Sequence, residues 1–192
     1  DLDLCKQHLV SENNKGNLNI DKLCVIAAKE GGAVAMNWAA RDWNRRAFLG
    51  IGKQGPDVKG LVLLSPTYNV KGFNVTKPLQ FPPIQKQIAF QIIVGKRSSA
   101  RNKHVTDANR IHDMLSRWHP KPKTVEDARK FQMLWLETYT TTLQGTDLLA
   151  SERPLRFNNR LLADRMLGFI NLRMADKDYD WQYRKSPFNN DK

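Results

Sequence analysis

The stretch Ile26-Ala27-Ala28-Lys29-Glu30-Gly31-Gly32-Ala33-Val34-Ala35 runs on directly from the apolar Leu23-Cys24-Val25. A short aliphatic run, an abrupt polar break and glycines opening an alanine-rich segment describe a strand that turns sharply into a helix. Such an elbow holds the side chain at the break out of the backbone's way, which suits a catalytic nucleophile. Here the break carries Lys29 and Glu30, with no serine or cysteine. A lysine becomes nucleophilic when burial depresses its pKa, as in Schiff-base chemistry. Beside Glu30 and at the start of a helix, Lys29 is expected to remain a plain ammonium with a structural or ligand-contacting role.

The other chemistry-bearing residues are scattered. His104 and Asp107 stand three apart, the spacing of a hydrogen-bonded dyad on one helix face, but no serine is placed to use them, so a surface pair is expected. Ser65 and Ser98 close apolar runs and are the alternative hydroxyl nucleophiles. His112 and His119 lack the spacing and carboxylate company of a metal site. Cys5 and Cys24 are the only cysteines, too few for a disulfide scaffold or a four-ligand zinc site. Cys24 reads as a small buried thiol within a strand. No glycine-rich phosphate loop or nucleic-acid module signature is present. No metal and no cofactor is expected.

The net charge of +12 is unevenly placed: residues 61–125 hold eleven basic groups against only Asp107 and Asp113. A local basic field favours anionic partners, whether nucleic acid, anionic lipid, acidic protein or acidic polysaccharide, unless it is simply a solvated face. No apolar run is long enough to span a membrane. Asp1-Leu2-Asp3-Leu4 has neither the charged start nor the apolar centre of a signal peptide and no initiator methionine, so the chain is expected to begin at a processed or truncated boundary. The compartment is not legible.

These residues must be positioned by a small set of elements. Leu2, Leu4, Cys5, Leu9 and Val10 predict a first helix, and Leu23–Ala28 the first strand. Gly31 onward predicts a small-residue helix buried against a sheet. Val58–Leu64 and Ile88–Val94 read as further buried strands, with 67–87 as a proline-rich loop between them. Val105, Ala108, Ile111, Leu115 and Trp118 repeat at helical spacing. Thr124 and Asp127 predict a capped turn, Phe131–Thr138 a fourth strand, and Leu161–Met174 a last amphipathic helix. The tryptophans are expected in core and lid packing. Strands separated by helices, with near-continuous apolar runs, predict an α/β fold with a mostly parallel sheet and flanking helices. It would occupy residues 1–175, followed by a polar tail, 176–192. Four strands are few, and Leu23–Ala28 looks too apolar to lie at an edge.

The order of "KLCVIAAKEGGAVAMNWAA", "VKGLVLLSP", "QIAFQIIVGKRSS" and "LWLETYTTTLQGTDLL" resembles the C-terminal half of α/β-hydrolases, and most closely a divergent group of unknown function. The resemblance covers roughly residues 1–175. It implies that Leu23–Ala28 is the family's fifth strand and Ala27–Gly31 its nucleophile elbow, with Lys29 at the nucleophile position. The family's acid position falls at Gly95–Ser99 and its histidine position at Thr140–Gly145, and neither matches. With the triad unmatched, no catalytic residue is assigned; the resemblance implies a pseudo-hydrolase, the alternative being an ester hydrolase with non-standard residues. It further implies that the four preceding strands lie in another segment or chain that pairs along Leu23–Ala28. Ligands of open α/β sheets bind at the carboxyl ends of the strands. Lys29, Lys96, Arg97, Arg101 and Lys103 are therefore expected to converge there as an anion-binding cleft.

Overall fold

In a computed structural model, residues 1–47, 50, 52–97, 102–150, 155–157 and 159–185 are described. Helix α1 (Leu2–Asn14) leads through a short 3-10 turn into β1 (Leu23–Ala28), α2 (Gly31–Trp43) and β2 (Val58–Leu64). A small hairpin, β3 (Asn69–Val70) and β4 (Phe73–Asn74), is followed by α3 (Thr76–Leu79), α4 (Pro82–Gln87) and β5 (Ala89–Gly95). The chain continues through α5 (Lys103–Ser116), α6 (Val125–Phe131) and β6 (Leu134–Tyr139). A short antiparallel pair, β7 (Arg156–Phe157) and β8 (Arg160–Leu161), precedes α7 (Leu162–Ile170), which runs on as a π-helical turn over Asn171–Ala175.

The main sheet has the order β1-β2-β5-β6 with every pairing parallel, so the fold is α/β with helices on both faces. Alternation along the strands builds two cores. Leu61, Leu63, Phe90 and Ile92 face α2, α4 and α5, whereas Val62, Leu64 and Ile93 face Leu162, Met166 and Phe169 of α7. Each large side chain enclosed this way contributes about 1.5–3 kcal/mol of apolar burial. Close approach on the second face depends on Gly60, where a Cβ would sit 2.5 Å from the sulfur of Met174. The π-helical turn carries that methionine and turns Arg173 inward. Its guanidinium donates to the carbonyls of Ala128 (2.8 Å), Arg129 (2.9 Å) and Lys130 (3.2 Å), capping the last turn of α6. No helix among the described residues is long and apolar enough to cross a membrane.

Four sequence expectations need correction. Residues 67–87 are not a bare loop, because Pro82 and Pro83 occupy the first turn of α4, where their fixed φ suits a helix start. The last strand begins at Leu134, since Thr124 caps α6 through Asp127 N–H (3.0 Å) and the helix keeps Phe131. On α1 the fully enclosed residues are Lys6 and Asn13, and Leu4 and Cys5 are exposed. Residues 179–184 do not trail away: the Trp181 indole donates to Asn13 O, and Asn13, Asn14 and Asn19 donate to the carbonyls of Gln182, Arg184 and Tyr179.

A buried ion cluster explains both α1 and the tail. The Asp42 carboxylate at the end of α2 accepts from Lys6 and from the backbone N–H groups of Asp57 (2.7 Å) and Val58 (3.1 Å). Lys6 also meets Asp57 at 2.6 Å. Arg184 bridges Asp57 (2.7 Å) and Asp21 (2.8 Å), and Lys53 pairs with Asp21. Three carboxylates and three cations thus balance at the amino end of the sheet. Burial raises the Asp21 carboxyl, but the Lys53 hydrogen bond and the Arg184 charge outweigh it, leaving the group below its ordinary value.

Asp42→Ala leaves three buried cations against two carboxylates and takes the acceptor from the Asp57 and Val58 N–H groups; it should cost about 3–5 kcal/mol, read as a fall in the urea midpoint. Asp21 is held below its unfolded value, as is Asp3 by the Trp38 hydrogen bond and its arginine neighbours. Stability from both is complete above about pH 4 and is lost as pH falls through their folded values; an acid titration of stability should show it. Burial pushes the Cys24 thiol up to about 12, whereas Cys5 is exposed, so a thiol reagent should modify Cys5 in the native protein and both residues in denaturant.

Candidate functional site

The carboxyl ends of the four strands form one edge, and two of them end in strained backbone. Lys29 after β1 and Ser65 after β2 both have φ near 49°, in the left-handed region. For a residue with a Cβ such a conformation costs on the order of 1–3 kcal/mol and persists only where neighbours fix it. Lys29 N–H donates to Leu64 O (2.9 Å), prolonging the β1–β2 ladder, and its carbonyl accepts from Gly32 (3.1 Å) and Thr67 (3.2 Å). The reversal at Lys29 is what turns β1 into α2. The small residue that permits the close approach is Gly32, where a Cβ would lie 3.3 Å from Pro66; one at Gly31 would meet nothing within 4 Å.

Ser65 is enclosed completely. Its N–H donates to Ile93 O (2.7 Å), its hydroxyl donates to Gln144 Oε1 (2.6 Å), and the same oxygen accepts from Gly145 N–H (2.9 Å). Gln144 Nε2 then donates to Gly95 O (2.7 Å), joining the ends of β2 and β5 through one amide. Gly145 lies at φ 65°, and a Cβ there would sit 2.7 Å from Lys29 Cε, so the lysine stem lies flat on the glycine. The loop after β6 therefore plugs the edge above β2. Ser65 spends its proton and a lone pair on the plug, and no histidine takes that proton. A nucleophile needs the reverse arrangement.

The described members of the expected site lie at or beside this edge. Lys29 is half-buried at the end of β1; Glu30 and Gly31 are exposed where α2 begins. Lys96 and Arg97 are exposed just after β5, two strand spacings or about 10 Å across the sheet from β1. Lys103 opens α5, tethered to the same place because Asn102 caps that helix and donates to Gly95 O (3.0 Å). Arg101, like Ser98, lies outside the described residues. His104 and Asp107 do not form their surface pair: Asp107 turns inward and accepts from Tyr68 N–H (3.1 Å). His119 is pushed below its ordinary value by burial, against a bond to the Gln85 backbone. Among the described residues no group of three or more His, Cys, Asp or Glu could hold a metal ion.

Sequence reasoning passed over Gln144, Ser65's partner, because a polar loop gives no sign of which amide folds inward. It also passed over Glu137, although a carboxylate inside an apolar strand demands a partner. Glu137 receives Arg165 (2.5 and 3.0 Å), Gln91 (3.1 Å) and the Tyr139 hydroxyl (3.2 Å). Burial and the adjoining carboxylate raise Tyr139 well above its ordinary value. No protein-family model, curated protein or solved structure matches the chain.

Gln144→Ala leaves the Ser65 hydroxyl without an acceptor and takes one donor from Gly95 O. A loss of about 1–3 kcal/mol in chemical denaturation is expected, with no gain of reactivity at Ser65.

Proposed function

We propose that the chain is a non-catalytic binding or assembly component built on an α/β-hydrolase-like sheet. The observation that carries this reading is the plugged edge: Lys29 stands at the strained turn, and Ser65 is sealed under Gln144 and Gly145. The backbone geometry of an elbow is there without an activated nucleophile, since serine needs a base within hydrogen-bond reach. Function on such a fold rests on the site and not on the architecture. The competing reading is an ester hydrolase using non-standard residues.

The partner in this proposal pairs along β1. Among the described residues β1 is one of the two edges of the sheet, β6 being the other, and it is only half-buried while β2 and β5 are enclosed almost throughout. Ile26, in its middle, is 48% exposed. An apolar edge strand is a template for another strand, and proteins that leave one open usually cover it. The occupant would be a strand-bearing segment, either of a longer polypeptide or of a separate chain. The exposed Lys96, Arg97 and Lys103 would offer an anion-binding cleft at the neighbouring strand ends.

A fluorophosphonate probe and a panel of short-chain esters should give neither labelling nor turnover. Activity abolished by replacing a single serine would overturn the non-catalytic reading. Sizing of the purified chain tests the partner separately: self-association or poor solubility is expected, relieved by Ile26→Lys, and a well-folded, stable monomer counts against a covered β1.

A further inference from the structure

Several basic side chains of this protein are committed to carboxylates. Lys6, Lys53 and Arg184 neutralise the buried aspartates, Arg41 and Arg45 hold Asp3, and Arg165 holds Glu137. The segments 67–87 and 103–123 behave differently. On α5 and its C-cap, Lys103, Arg110 and Arg117 recur at every seventh residue and are all exposed. Seven residues of helix return to nearly the same face about 10 Å further on, so the three form one line. Lys71, Lys77 and Lys86 are exposed on the hairpin, α3 and α4, and α3 touches both α4 and α5. Lys121 and Lys123 follow, exposed as well. Among the described residues none of these eight is in an ion pair. The acids of the same segments do not offset them: Asp107 is turned inward onto Tyr68 N–H, and Asp113 alone is exposed, beside His112 at 3.4 Å.

Aromatic rings stand among these cations. Trp118, one of the tryptophans expected in core and lid packing, is 46% exposed, with the Lys86 ammonium 4.9 Å from its ring centre. Phe73 is 42% exposed on the hairpin, and the Arg110 guanidinium lies 3.9 Å over the Tyr68 ring. The exposed apolar side chains here are single and on separate elements, so the layer lacks the continuous apolar face that a membrane surface or a tight protein partner requires. It suits a flexible polymer of regularly repeated negative charge that also carries flat rings. We propose that the α3–α5 layer binds single-stranded nucleic acid, its cations tracking the phosphates and Trp118 stacking a base. This surface shares Lys103 with the strand-end cations but depends neither on the Ser65–Gln144 plug nor on whatever covers β1, and Lys71, Lys77 and Trp118 probe it apart from that edge.

The test is fluorescence anisotropy of a labelled mixed-sequence single strand of about 20 nucleotides, from about 50 to about 300 mM salt. Steep weakening with salt is expected. Lys103→Gln/Arg110→Gln/Arg117→Gln should bind at least about ten-fold more weakly, with a log–log salt slope shallower by about 2. Because Arg110 also packs on Tyr68, Lys71→Gln/Lys77→Gln serves as a second variant, expected to weaken binding with unchanged thermal unfolding. Trp118→Ala should lose about ten-fold for the oligonucleotide and nothing for heparin. Salt-independent binding, or full affinity in both charge variants, overturns the proposal. So does a Trp118→Ala variant that leaves the oligonucleotide unaffected or weakens heparin equally, which would mark a general polyanion surface. Binding to phosphatidylserine vesicles without oligonucleotide binding would assign the layer to a membrane and overturn it too.

Discussion

The Asp42 carboxylate is the constraint on which the amino end of this molecule is assembled. It is wholly enclosed, and a lone charge in that position would not be tolerated. Its oxygens are shared between the ammonium of α1 and two backbone N–H groups that begin β2. One side chain thus fixes the seat of the first helix, the end of the second and the start of the central strand. Asp57 relays the same demand outward through Arg184 to Asp21, just before β1. An interior of this kind is not especially stabilising compared with well-packed apolar residues, but it is unforgiving of rearrangement, because every alternative seating leaves a charge unpaired.

At the opposite end the sheet is closed by neutral hydrogen bonds. The Gln144 amide spans two strand ends, and Gly145 allows the Lys29 stem to lie against the backbone. The two ends therefore differ in kind: ionic where the strands begin, amide and hydroxyl where they finish.

The parallel sheet was legible because its strands are short apolar runs bounded by turn residues; Leu23–Ala28 and Val58–Leu64 could be read directly. Their neighbours were blurred where one residue type serves two structures. Phe131 continues an apolar run but ends a helix, and the prolines of 67–87 read as breakers although two of them start one. What stayed illegible was long-range polarity. Nothing local distinguishes Lys6 from an ordinary surface lysine on an amphipathic helix, and its partners stand 36 and 51 positions away in the chain. Asp107 likewise looked like a partner for His104, yet its true partner is a backbone N–H of the segment after β2. Lys29, Lys96, Arg97 and Lys103 lie at or beside that edge, but spacing alone could not tell that Lys29 would lie down on a glycine.

The contact of Met174 with Gly60 has an evolutionary corollary. The π-helical turn, wider than the α-helix before it, carries the methionine that packs on the strand, so the wide turn, the methionine and the glycine form a single packing unit. A lineage that gained even a methyl group at position 60 would have to shorten position 174 at the same time. One that regularised the turn would swing Arg173 off the end of α6. Descendants should therefore keep the three features together or lose them together, which gives an alignment of this lineage a covariation signal at positions 60, 173 and 174.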